Sequence, residues 1–115
     1  MKYMLLIYSD EAGMQSASPA EMGQMLAAYG AYSEAMSKAG VLAGADRLQP
    51  VASATTVRLS KGKTAVLNGP YAETKEQLGG YYLIDVPDLD AALSWAARCP
   101  GANHGTVEVR PVWAM

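Results

Sequence analysis

A chain of 115 residues, half of them apolar and 17% charged, has the size and composition of one folded domain spanning 1–115 rather than a disordered segment. Its net charge of −2, with no basic run, leaves out the positive surface that displaces counterions from nucleic acid phosphates. One cysteine, Cys99, excludes an intramolecular disulfide framework and fits a reducing compartment.

The chain opens on Met1 to Tyr8, apolar on both parities: Tyr3, Leu5 and Ile7 on one, Met4, Leu6 and Tyr8 on the other. The run ends at Ser9-Asp10-Glu11 without a small-residue cleavage site, so a buried strand is expected rather than a signal peptide. No segment approaches the roughly 20 apolar residues that span a bilayer, so a soluble cytoplasmic protein without a membrane partner is expected. Asp10 to Ala17 is expected to be a loop. Ser18-Pro19-Ala20-Glu21 then starts a helix, with a cap hydroxyl, Pro at the first helical position and Glu three residues after the cap. Met22, Met25, Leu26, Tyr29, Ser33 and Met36 recur at helical spacing as its core face, and Gly40 stops it.

Val41 to Ala43 is expected as a short edge strand, and Asp46 to Pro50 as a loop with Leu48 turned inward. Thr55 to Ser60 and Thr64 to Leu67 flank Lys61-Gly62-Lys63, the pattern of a hairpin. A second strand apolar on both faces covers Tyr81 to Val86. Asp88 caps a helix with Leu89, Ala92, Leu93, Ala96 and Cys99 on one side, and Pro100-Gly101 ends it. Thr106 to Arg110 alternates as the last strand. This order of elements is a split βαβ plan: a ferredoxin-like α+β fold with a mostly antiparallel sheet and two helices on one face. Two helices cover only one side of two-faced strands, so a homodimer packing sheet against sheet is expected.

Charge, turn chemistry and aromatic rings converge only in Asn68 to Tyr82. Asn68-Gly69-Pro70 is a turn signal, Glu73-Thr74-Lys75-Glu76 a polar cluster, and Gly79-Gly80 leads into Tyr81-Tyr82. This stretch resembles the signature of the DGPF proteins, a branch of the YCII-related, YciI-like family. The likeness extends to the opening strand, the Ser18-Pro19 helix start, Tyr29 to Gly40, and the Val107-Glu108-Val109-Arg110-Pro111 ending. It implies the dimeric α/β-barrel form of the ferredoxin-like plan, and a genomic context near extracytoplasmic-function sigma factors. Asn68 stands where the signature has Asp, and Tyr71 where it has Phe. Some YciI-like relatives are proposed to use a His–Asp pair, to which His104 does not match.

Two functions are compatible with these residues. In the first, the domain binds a small molecule in a cleft between sheet and helices, as a cofactor-free proton-transfer enzyme of isomerase or lyase type. Glu73 or Glu76 is then the catalytic base, and Lys75 and Arg110 stabilise anionic charge. Tyr8, Thr74, Tyr82 and Arg110 are the pocket candidates. In the second, the protein is a non-catalytic dimer that interacts with a sigma factor or its regulator, and the 73–76 cluster is a solvated loop. No metal-ligand spacing, nucleotide fingerprint or nucleophile-base arrangement is present, so neither a metal nor a cofactor is expected.

Overall fold

The computed structural model describes residues 1–114. Strand β1 (Lys2–Ser9) is followed by a single-turn helix α1 (Glu11–Gln15) and the long helix α2 (Pro19–Lys38). Next come β2 (Leu42–Arg47), the hairpin β3 (Thr55–Ser60) and β4 (Lys63–Asn68), β5 (Gln77–Asp85), α3 (Leu89–Arg98) and β6 (Thr106–Pro111). Four strands form one antiparallel sheet in the order β2-β5-β1-β6, the ferredoxin-like arrangement. The β3–β4 hairpin forms a two-stranded sheet of its own.

Both two-faced strands occupy the centre of the sheet. On one side Tyr3, Leu5, Ile7, Tyr82 and Ile84 are buried with Tyr32 and Met36 of α2 and with Ala92, Ala96 and Cys99. Leu5 sits between Tyr82 on β5 and Val109 on β6, so all three strands contribute to one core face. The other face carries Met4, Leu6, Tyr8 and Leu83, which are half-buried although no helix covers them. The α2 start is a full capping box: Ser18 Oγ accepts from Glu21 N, and Glu21 Oε1 accepts from Ser18 N. Gly40 takes a positive φ of 73° just beyond the helix, where residues with a side chain are strained.

Several boundaries differ from expectation. Asp10 to Ala17 contains α1, because Asp10 accepts a hydrogen bond from Ala12 N and caps a turn there. β2 runs to Arg47, since Ala45, Asp46 and Arg47 pair with Tyr82, Tyr81 and Gly80. Leu48 is exposed rather than tucked in. Leu89 and Leu93 of α3 are exposed, and the small side chains Ala92 and Ala96 make its contact. β5 begins at Gln77 and takes in both glycines, each for a different reason. The pairing of β5 with β1 slips between Ile7 and Tyr8, leaving Gly79 as the extra residue of a bulge. At Gly80, a Cβ would lie 2.8 Å from Asp46 O on the neighbouring strand. Among the described residues no helix is long and apolar enough to cross a membrane.

Candidate functional site

The main cavity, of about 760 Å³, lies between the N-terminal half of α2 and the end of the sheet where β2, β1 and β5 meet α1. Its walls are apolar for the most part: Ile7 from β1, Met22, Met25 and Tyr29 from α2, Met14 from α1 and Tyr82 from β5. The helix is held off the sheet here, and Met22 and Met25 remain only half-buried, in contrast to Met36 at the closed end. The methionine stripe of α2 therefore has two roles. One end is core, and the other lines the cleft with flexible, polarizable side chains that adapt to a guest.

The polar groups of the cleft are mostly engaged already. Glu11 accepts from Val51 N at 3.1 and 3.3 Å, and this fixes the segment after β2. Asp46 and Tyr81, one residue out of phase with Arg47 and Tyr82, face the open side of the sheet, where Asp46 accepts from Tyr81 Oη at 2.6 Å; that bond raises the pKa of the Tyr81 phenol. Asp10 and Glu21 are occupied as helix caps. Arg47 is different. It is the one lysine or arginine among the lining residues, and the ion pairs of the described residues do not include it. It pairs with Gly80, whose neighbour Tyr82 is on the helix-facing side two residues on, so strand alternation directs Arg47 to the same side.

Tyr82 Oη lies 2.7 Å from Ser33 Oγ, with either hydroxyl able to donate. Burial raises the Tyr82 phenol pKa, and the Ser33 bond opposes the shift. Burial likewise pushes Tyr29 and Tyr32 well above the ordinary tyrosine range, with the Cys99 thiol adding to it. Cys99 itself is raised by burial, against opposing hydrogen bonds led by the Gly101 backbone. These groups are neutral near pH 7, so the phenols of the cleft act there as hydrogen-bond partners and not as charges.

Of the residues singled out from the sequence, the structure places Tyr82 at this cleft and the others elsewhere. Tyr8 pairs with Leu78 and Thr106 and points from the opposite side of the sheet, because it is one residue out of phase with Ile7. Arg110 is on that same opposite side, bound to Glu108 through Nε at 2.7 Å and through Nη2. Glu73, Thr74 and Lys75 are exposed in the loop before β5. Glu76 is half-buried and accepts from Thr106 Oγ1 at 2.7 Å, fastening that loop to β6. Thr74 Oγ1 donates to Glu76 O within the same turn. The four charged head groups thus do not converge on a cavity within one chain. From the sequence Arg47 was expected only as part of the Asp46 to Pro50 loop, and Met22 and Met25 as core; nothing local marks where a helix lifts from a sheet. Among the described residues no three His, Cys, Asp or Glu side chains gather as a metal ion would require.

Fold and cleft together define a small ferredoxin-like α+β domain with an apolar pocket between its long helix and its sheet. The sequence matches the YCII-related domain family model over residues 1–115, and the chain belongs to that family. It is 42% identical over 114 residues to the uncharacterized protein R00369 of Rhizobium meliloti (strain 1021), covering 97% of this chain and 92% of that protein.

Proposed function

We propose that this protein binds a small organic molecule with a largely apolar body and one anionic end in the cleft beside α2. The observation that supports this reading is the combination of a largely apolar cavity of about 760 Å³ with Arg47 at its wall, which has no ion pair among the described residues. Asp10, Glu11 and Glu21 at the cleft are occupied by internal hydrogen bonds, so a carboxylate or phenolate guest finds an arginine fork without displacing an existing partner. The isomerase or lyase chemistry expected of Glu73 or Glu76 needs those carboxylates at the guest. In the single chain they stand outside the cleft, so binding is the part of the reading that the geometry supports.

The half-buried row Met4, Leu6, Tyr8 and Leu83 on the uncovered sheet face supports a homodimer in which two such faces pack together. The Asn68 to Tyr82 stretch supports placing the chain in the DGPF branch of its family. A sigma-factor-linked interaction protein would need no apolar cleft of this volume, and the cleft therefore favours the ligand reading.

The test is a thermal-shift screen with small aryl and alkyl carboxylates and phenols. Binders are expected to raise Tm, and Met25→Trp, which fills the cleft, is expected to abolish the rise. Arg47→Gln is expected to remove the preference for the charged compounds, while Lys75→Ala leaves it intact. A shift lost in Lys75→Ala and kept in Met25→Trp would move the site to the 73–76 loop. No shift with any compound would refute the reading.

A further inference from the structure

Register pairs set four residues in one row across the sheet at the cleft. Arg47 of β2 stands opposite Gly80 of β5, Gly80 opposite Ile7 of β1, and Ile7 opposite Val107 of β6. Neighbouring strands lie about 4.8 Å apart, so the row runs about 14 Å from Arg47 to Val107. At Gly80 the row is bare backbone between the side chains of Arg47 and Ile7. It must stay bare, because a Cβ there would lie 2.8 Å from Asp46 O and 3.4 Å from Arg47 Cα.

The turn before β6 closes the far end of the row. Gly101 rests on Ile7, since a Cβ there would lie 2.9 Å from Ile7 Cγ2, and His104 N donates to Gly101 O at 3.2 Å. Gly105 then lies so close to Tyr8 O that a Cβ has no room. These contacts hold His104 at the β6 flank of the cleft, which it lines, while Arg47 lines the β2 flank. The two are the basic residues of the lining, and the ion pairs of the described residues include neither. Asp10, Glu11 and Glu21, the acids on the helix side of the lining, accept backbone N–H bonds within the fold. Between the flanks the walls are Ile7, Met22 and Met25.

A cleft with a hydrogen-bond donor for anions at each end and an apolar middle complements a molecule built the same way. Imidazole donates one N–H when neutral and two when protonated, so it meets a carboxylate in either state. We infer that His104 is the second anion-binding pole of the cleft and that the preferred guest is an elongated dicarboxylate, with one carboxylate on Arg47, the other on His104 and its apolar middle over Gly80 and Ile7. The inference rests on the ligand reading above and adds to it the far end of the guest and the direction in which its body lies.

Calorimetric titration with suberate, octanoate and succinate tests it. Suberate and octanoate have the same chain length and differ in one terminal carboxylate, whereas succinate is too short to reach across Gly80 and Ile7. Suberate is expected to bind about tenfold or more tightly than octanoate, as one added charge-assisted hydrogen bond does, and succinate weakly. His104→Gln is expected to bring suberate down to the affinity of octanoate, and His104→Lys to restore the preference. His104 is exposed, so neither substitution should disturb the fold. It is also the one histidine of the sequence, so its ring resonances in an NMR titration are assigned without ambiguity. They are expected to shift with suberate and to stay in place with octanoate. Equal binding of suberate and octanoate with the His104 ring unmoved, or succinate binding as tightly as suberate, would overturn the second pole and leave the apolar cleft with Arg47 standing. No binding of any of the three, together with no response in the thermal-shift screen, would overturn both.

Discussion

Adding one methyl group at Gly101 tests both the packing of the fold and the wall of the cleft. Gly101 is buried in the short 3₁₀ turn between α3 and β6, and a Cβ there would lie 2.6 Å from Tyr29 Oη and 2.9 Å from Ile7 Cγ2. Both neighbours line the cleft. Ile7 is held by a central strand, so the half-buried Tyr29 ring must yield, and the free direction is into the cavity. Overpacking of this kind costs about 1–3 kcal/mol, partly offset by about 0.4–1 kcal/mol from restricting the unfolded chain. The net loss of about 1–2 kcal/mol corresponds to a Tm decrease of roughly 4–10 °C for a domain of this size. Gly30→Ala is the control: nothing lies within 4 Å of the added carbon on the exposed face of α2, and the substitution is expected to stabilise by about 0.5–1 kcal/mol. Thermal unfolding followed by circular dichroism compares the two. Gly101→Ala should also lower the affinity of any cleft ligand. If Gly101→Ala melts at or above the wild type, the close approach of Tyr29 and Ile7 is wrong.

Ser18→Ala removes the reciprocal cap of α2 and is expected to cost about 1 kcal/mol in urea unfolding, with Glu21→Ala costing less. Tyr32→Phe deletes the hydroxyl that donates to Trp95 O at 2.6 Å, leaving that carbonyl with one partner fewer; a loss of about 1–2 kcal/mol is expected by the same assay. Raised native pKa values set the alkaline limit. Unfolded thiol and phenol ionise near 8.5 and 10, whereas native Cys99, Tyr29 and Tyr32 resist ionisation through burial. Stability is therefore full below about pH 8.5 and falls as pH rises through and beyond the unfolded values. Cys99→Ala should flatten the first part of that fall in a Tm-versus-pH series, and an unchanged slope would count against thiol burial as its cause.

The plan of the fold was legible because it is written in local patterns. Two strands apolar on both parities became the central pair, the Ser18-Pro19-Glu21 signal became a capping box, and Gly40 took the positive φ that ends α2. The site was less legible for a physical reason. Glu73, Lys75 and Glu76 form a cluster in sequence, but a loop spends its charges on solvent or on fastening itself to the body, as the Glu76 carboxylate does by accepting from Thr106 of β6. The cleft is a tertiary product, made where α2 leaves the sheet and where the Gly79 bulge brings Gly80 against β2. Its residues come from β1, α1, α2, β2, β5 and the turn at Gly101, and the periodicity of Met22 and Met25 reads the same whether a helix face meets a core or a cavity. The Gly79-Gly80 pair was the informative part of the Asn68 to Tyr82 stretch. Its two glycines serve a bulge and a close backbone approach, respectively.

The methionines offer the most direct test of the cleft as the binding site. Met14, Met22 and Met25 line it, Met4 is on the opposite face of the sheet and Met36 is sealed in the core. Titration of ¹³C-methyl-methionine protein with aryl carboxylates is expected to shift the methyl resonances of Met14, Met22 and Met25 together, saturably, with Met4 unmoved. Shifts confined to Met4, or binding that leaves all three cleft methyls in place, would contradict the account.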